Sequence, residues 1–556
     1  MSYGLAAGII NDWLVSCQKH TECNSHNFFA TKEREIRDKE EGDAEKSNFD
    51  PSLPKRIIQL GENAKTARLV RSSTTSRVPY AALSYCWGGN GTFKTEKHTL
   101  EEFEKGIPVE KLPQTIKDAF CLTKAIGLHY LWVDAICIVQ GNKQDWEEES
   151  QKMGQIYSNA KIVLSATRSA NVNEGMFTPR SAIPLSEDIE AVGNSMRARR
   201  NLNHEIITSC RTKSNKWWEK HINTTFPLLS RGWGFQERML ATRMVHFTPA
   251  ELVWECQKFR KCECRVMESN LYPVTNNLGS ALRICLKQLN DERSLRQMWR
   301  EIVNSYSVRK LTLVEDKLPA LSGVASLLKR SGDTYAAGLW RGSLPFDLLW
   351  RCDQSGDLQR KKMRSPSWSW ISVDGAVKWP ASQHPNEEQP LKYISSTTYF
   401  ESGADGVEVC DVECERDGKD EYGRVKSGKI TLQTRLSPVT IHYVSDEIWN
   451  EMYGTEWAVH ANGSDPEPFW PDISQEGLQR DPCQNNVPDG FHVMEVMKSR
   501  NIPGSWEEAL VVRLKCGSGY EYERVGVAAN VSPTSRQWTT VNSWFDSPHS
   551  DKITLV

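Results

Sequence analysis

Along the first half of the chain, short continuous apolar runs alternate with apolar stripes at helical spacing. Arg56-Ile-Ile-Gln-Leu60 and Ala67-Arg-Leu-Val70 predict short strands, and Tyr80–Tyr85 a buried one. Ile116, Ala119, Phe120, Thr123 and Ile126 share one helical face, predicting a helix over 114–127 that Gly127 stops. From Tyr130 to Val139 the run is apolar apart from Asp134, as in a central parallel strand. Asp145, with Glu148 three positions on, resembles a capping box. Trp146, Met153, Ile156, Tyr157 and Ala160 continue it as one stripe, and Lys161–Ala166 predicts a third strand. Alternation at these spacings predicts an α/β domain on a parallel sheet. Residues 168–228 are polar and poorly periodic, and read as an insertion. A helix beginning near Ser230 and a strand over 251–255 resume the pattern.

The flanks differ. Residues 31–49 are dense in mixed charge, so residues 1–50 read as a helical and charged N-terminal arm before a domain over 51–265. Beyond 266 the pattern predicts helix over 283–309. Strands follow at 429–436, 508–514 and 522–527, with a poorly structured stretch near 460–488. Residues 266–556 therefore read as a mixed helical, then β-rich region.

Composition narrows the class. A chain of 556 residues, 39% hydrophobic and 25% charged, is a globular protein of two or three domains. A net charge of −2 gives no general attraction to nucleic acid or to an anionic membrane, and neither is expected as a partner. The first ten residues lack the basic and apolar regions of a secretory signal, and no apolar run is long enough to span a bilayer. The expected address is cytoplasmic, with the 15 cysteines mostly reduced.

Three blocks carry the chemistry: Tyr80-Ala-Ala-Leu-Ser-Tyr-Cys-Trp-Gly88, Leu131-Trp-Val-Asp-Ala-Ile-Cys-Ile138 and Ser230-Arg-Gly-Trp-Gly-Phe-Gln-Glu-Arg-Met-Leu240. Each sets a Trp beside small or polar groups, although a buried indole N–H needs a partner. Together, over roughly 54–256, they resemble the heterokaryon incompatibility (HET) domain, a fungal module of self/non-self recognition and cell death. The segment order further resembles TIR domains, which implies a flavodoxin-like parallel core. In NAD-cleaving TIR domains a Glu in a Trp-x-x-x-Glu-like position is catalytic, and the matching residue is Glu237. The resemblance therefore implies an incompatibility or immune-type effector with NAD glycohydrolase activity. NAD would be substrate rather than cofactor, activity would depend on self-association or a signalling partner, and the C-terminal region would regulate. Many HET sequences carry Asn at the position of Val139 and Asp at that of Gly141.

The residues support and limit that reading. Trp233 and Glu237 lie about one helical turn apart. A fixed carboxylate would stabilise the positive charge that builds on ribose as the nicotinamide bond breaks. The alternative for Glu237 is an ion pair with Arg231, Arg238 or Arg243. Asp134, in an apolar run, either faces a ligand crevice or holds the first block in place. Ser84, Trp87 and Gly88 end the first strand. Gly88 would admit a phosphate, Trp87 a stacked base, and Arg231 would pair with a phosphate or carboxylate. Cys137 is an alternative nucleophile that reads better as a small buried hydrophobe. Two other functions stay open: a non-enzymatic interaction module, and a metabolic enzyme reusing the fold.

Cys17, His20, Cys23 and His26 recur every third residue and are zinc-competent side chains. A regular helix would spread them round one broad face, and the usual zinc signature separates two ligand pairs by a long loop, so no metal is expected. Cys256, Cys262 and Cys264 form a second, similar group.

Overall fold

The computed structural model describes residues 2–24, 54–72, 78–89, 93–177, 183–184, 197–198, 224–265, 278–286, 292–330, 332–352, 365–379, 407–448, 455–461, 466–472, 490–498, 507–515, 518, 520–530 and 550–556. They fall into two compact units. The first comprises Met1–Lys287, Arg309–Val314 and Pro319–Leu327, and the second Gln288–Val308, Glu315–Leu318 and Leu328–Val556. The charged stretch 31–49, His26 and most of the polar insertion lie outside the described residues. Inside the insertion, Ile183–Pro184 pairs with Arg197–Ala198.

The first unit is built on one sheet. Its strands are β1 (Arg56–Leu60), β2 (Ala67–Arg71), β3 (Tyr80–Ser84), β4 (Tyr130–Trp132), β5 (Ile162–Ser165), β6 (Arg243–Phe247), β7 (Leu252–Cys256) and β8 (Arg260–Cys262). Across the sheet they run β8-β7-β6-β5-β3-β4-β1-β2. β3 pairs in parallel with β4 and β5, and β5 with β6. The other neighbours are antiparallel. The expected parallel sheet is therefore the middle of a mixed one. The reason is local: β1–β2 and β6–β7–β8 follow one another through short turns, which can only join antiparallel strands.

The expected long strand over 130–139 is also corrected. β4 stops at Trp132, and Asp134–Cys137 forms a single helical turn. A continuous apolar run does not by itself distinguish buried strand from buried helix. Here Asp134 accepts from its neighbour's N–H, Ala135 N to Oδ1 at 2.7 Å, and starts the turn.

The helices covering this sheet include α1 (Tyr3–Cys17), α2 (Gln114–Ala125), α3 (Lys143–Asn159) and α4 (Gly232–Leu240). α2 buries Ile116, Ala119, Phe120 and Thr123 as its spacing required, and Gly127 follows in the left-handed region at φ 85°. The N-cap of α3 is Asn142 rather than Asp145. Asn142 Oδ1 accepts from Asp145 N at 3.2 Å, which leaves the Asp145 carboxylate for Arg56 and the Val139 N–H. α1 is not a free arm. Its Ala6, Ile10, Trp13, Leu14 and Cys17 join the same buried cluster as Trp132, Val163 and Trp254.

In the second unit the predicted helix over 283–309 is Glu292–Ser307, burying Leu295, Trp299, Ile302, Val303 and Tyr306. Five of the unit's buried tryptophans, Trp299, Trp350, Trp368, Trp370 and Trp379, donate their indole N–H to backbone carbonyls, whereas that of Trp340 has no partner among the described residues. Trp299 and Trp370 both reach Gly338 O, at 2.9 and 3.0 Å. Six antiparallel strands close a barrel in the order Glu521–Asn530, Glu467–Pro471, Trp457–Ala461, Leu436–Tyr443, Phe491–Lys498, Glu507–Leu514 and back to the first. The β-rich expectation for this region holds. No described helix is long and apolar enough to cross a membrane.

If α1 belongs to the core, truncating its Trp13, whose ring centroid lies 6.0 Å from that of Trp254, should cost roughly 3–5 kcal/mol. Urea denaturation of Trp13→Ala checks this. Unchanged stability would make α1 a dispensable arm.

Candidate functional site

Because β3, β4 and β5 run in parallel, the residues that end or follow them lie at one edge of the sheet. Ser84 is the last residue of β3, and Asp134 lies two residues beyond the end of β4. Helix α4 brings Glu237 to the same edge, and the Ser84 hydroxyl donates to Glu237 Oε2 across 153 residues of sequence. The Trp87 indole donates to Asp134 Oδ2 at 2.8 Å. The Tyr85 hydroxyl lies beside Asp134, and the Tyr157 hydroxyl beside Glu237 while donating to Leu83 O at 3.0 Å. Arg231 caps α4 and gives its guanidinium to Tyr85 O.

The start of α4 is fixed from outside the helix. Gly232 N donates to Lys310 O at 2.8 Å, and Lys310 N to Ser230 O at 2.7 Å. Gln236 Oε1 accepts from Gly323 N at 2.7 Å. Helix α4 is thereby held at both ends of its first two turns.

Glu237 is 5% exposed, and among the described residues no cation lies within ion-pair distance of it. Burial pushes its carboxyl up to about 7, helped by the charge of Asp134 and opposed by the Ser84 hydroxyl, Arg231 and Tyr157. The expected alternative, an ion pair with Arg231, Arg238 or Arg243, is not formed. Arg238 pairs with Glu255 at 2.8 Å, and Arg243 turns to Cys17, Cys23 O and Asn24.

Asp134 divides its carboxylate between the Ala135 N–H and the Trp87 indole. Burial raises its pKa, against the pull of Trp87, Arg231 and the Ala135 amide. Of the two roles left open for it, this geometry is that of a clamp on Trp87. Gly88, expected to admit a phosphate, has φ 79°, and a Cβ on it would lie 2.5 Å from Asn171 Cβ. Its glycine is required by that turn and by the Asn171 contact. Trp87 and Trp233 both pack, half-buried, against the core. Cys137 is buried within the Asp134–Cys137 turn, and burial pushes its thiol up to about 12, the setting of a small buried hydrophobe.

Tyr157 was legible only as part of the apolar stripe of α3. Its hydroxyl and that of Tyr85 are site groups that spacing alone did not single out. At the departure noted above, the Val139 N–H serves Asp145 at 2.8 Å and Gly141 takes φ 77°.

Residues 80–237 match the family described as Heterokaryon incompatibility protein (HET). The match opens on the first residue of β3 and closes on Glu237. No curated protein and no solved structure matches the chain.

A Glu with a folded pKa raised from 4.5 to about 7 is stabilising as its acid. That contribution is complete below the unfolded value and is lost as pH climbs towards the folded one. At about pH 8 the buried charge costs about 3 kcal/mol. Glu237→Gln should therefore melt several degrees above wild type near pH 8 and close to it near pH 5, by differential scanning fluorimetry. Destabilisation at both pH values would mean that a stabilising charge resides there.

Proposed function

We propose that this heterokaryon incompatibility domain protein, so identified by residues 80–237, fulfils its incompatibility role by hydrolysing NAD at the nicotinamide–ribose bond. The observation that carries the reading is Glu237: a buried carboxyl with no ion-pair partner among the described residues, poised near neutrality, at the carboxyl edge of parallel strands. Open α/β sheets bind ligands at this edge, where the strand order reverses. The four parallel strands run second, first, third, fourth in chain order, which supports a TIR-like, flavodoxin-like reading of the core.

In the proposed step the C1′–N bond breaks and its electron pair leaves with nicotinamide. Water adds to C1′, and its proton passes to the Glu237 carboxylate and on to solvent. The ionised carboxylate faces the charge developing on the ribose. Arg231 is the group suited to the pyrophosphate, and the exposed part of the Trp87 ring to a stacked base. Ser84 and burial close Glu237 off, so the proposal includes an opening step triggered by self-association. Depletion of NAD would then be the route to cell death.

The test is nicotinamide release by the concentrated full chain, with and without forced oligomerisation. Glu237→Gln should lower turnover by roughly a hundredfold or more while the fold persists. Glu237→Asp should also be impaired, because the carboxylate withdraws by a methylene. kcat/KM should rise with pH through about 7 as the carboxyl ionises. A folded Glu237→Gln protein with undiminished turnover removes Glu237 from the mechanism. The burial of Glu237 also favours a second reading, a non-catalytic module whose buried acid shapes a partner-binding edge. Absence of release even from forced oligomers would select it, and turnover of an unrelated metabolite would select a metabolic enzyme.

A further inference from the structure

The regular every-third-residue spacing over 17–26 suggested one helical face, but the chain bends inside it. α1 ends at Cys17, and a single helical turn, Thr21–Asn24, follows a tight connection. His20 N donates to Cys17 O at 3.0 Å and Cys23 N to His20 O at 3.3 Å, folding three side chains to one point. A fourth arrives from far away: Cys256, the last residue of β7, lies 236 residues after His20.

One donor atom from each of Cys17, His20, Cys23 and Cys256 lies within 4.8 Å of all the others, and all four residues are buried. His20 Nδ1 is 3.7 Å from Cys23 Sγ and 3.9 Å from Cys256 Sγ. A tetrahedral zinc with Zn–S of about 2.3 Å and Zn–N of about 2.0 Å has N···S edges of about 3.6 Å. The observed edges are within a few tenths of that. None of the three cysteines is in a disulfide.

The surroundings suit bound thiolates. Arg243 Nε lies 3.3 Å from Cys17 Sγ, and Phe259 N lies 3.5 Å from Cys256 Sγ. Three thiolates and a neutral imidazole on a divalent ion leave a net charge of −1, and the buried Arg243 guanidinium balances it. The Phe259 ring meets His20 edge-on at 4.2 Å and fixes the imidazole plane.

We propose that Cys17, His20 through Nδ1, Cys23 and Cys256 hold one zinc ion in a closed site that fastens the N-terminal helix to the sheet. Four protein ligands leave no open position, so the ion is structural. Three thiolates with one imidazole in tetrahedral array select zinc over harder cations. The neighbouring Glu251, Cys262 and Cys264 offer only three donors with Cys264 exposed, and carry no such assignment.

The test uses the full chain purified without chelator. Elemental analysis should find zinc equimolar with protein, and cobalt exchanged into it should show the absorption of a tetrahedral thiolate site. Alkylation mapped by peptide mass spectrometry should spare Cys17, Cys23 and Cys256 until a strong chelator is added. Cys256→Ser should lose zinc at least tenfold more readily, while Cys264→Ser keeps it. A folded chain without zinc and without the cobalt spectrum overturns the proposal. So does a disulfide among the three cysteines, or their alkylation at a rate the chelator does not change. The alkylation map is read on wild type, so it decides even where Cys256→Ser does not fold.

Discussion

The hydrogen bond between Ser84 and Glu237 ties the end of the first strand block to the last helix of the matched region. Its character depends on where the nearby arginines go. Arg231 is held by Tyr85 O, Arg238 by Glu255, and Arg243 by the Cys17–Asn24 segment. Any one of them within ion-pair reach of Glu237 would pull its carboxyl down. Glu255 shows that outcome inside the same unit. Burial alone would raise it, yet Arg238, Arg260 and His246 outweigh burial and hold it well below the usual carboxylate range. Two buried glutamates on neighbouring elements are thus shifted in opposite directions, because one has cations beside it and the other a hydroxyl.

That division separates a structural anchor from a reactive candidate. The Glu255 cluster joins α4 to β6 and β7, and removing its carboxylate would take an ion-pair partner from the buried Arg260 and the half-buried Arg238. The Glu237 carboxyl makes no comparable contribution to the fold. Burying it without a cation costs stability whenever it is ionised. The absence of a cation beside Glu237 among the described residues is what lets burial raise its carboxyl at the carboxyl edge of the parallel strands.

Much of this was legible where one element decides one feature. The strands at 56–60, 67–71 and 80–84 and the helix over 114–125 follow from local spacing. So does the adjacency of Trp87 and Asp134, once the two strands before them are read as parallel neighbours. The remainder was hidden by physics that spacing does not carry. An apolar run cannot report that Asp134 ends a strand and starts a helical turn. A capping pattern cannot report that Asn142 holds the cap while Asp145 is drawn to Arg56. The partners of Arg238 and Arg243, and the arrival of Cys256 beside Cys17, are tertiary facts joining residues far apart in sequence.

The extent of the first unit beyond residue 265 was hidden for the same reason. Arg309–Val314 and Pro319–Leu327 belong to the first unit, separated along the chain by segments of the second. They hold the helix that carries Glu237. Lys310 exchanges two backbone hydrogen bonds with Ser230 and Gly232, Arg309 lies 4.6 Å from the centre of the Phe235 ring, and Gly323 N reaches Gln236. A chain cut after the sequence motifs would keep every candidate side chain and lose the supports of α4. Backbone groups at a helix start that lose their partners return to water, and the first turn frays. These two downstream segments are therefore part of what positions α4. Whatever Glu237 does, it does from a helix whose position is fixed by residues some seventy to ninety places later in the chain.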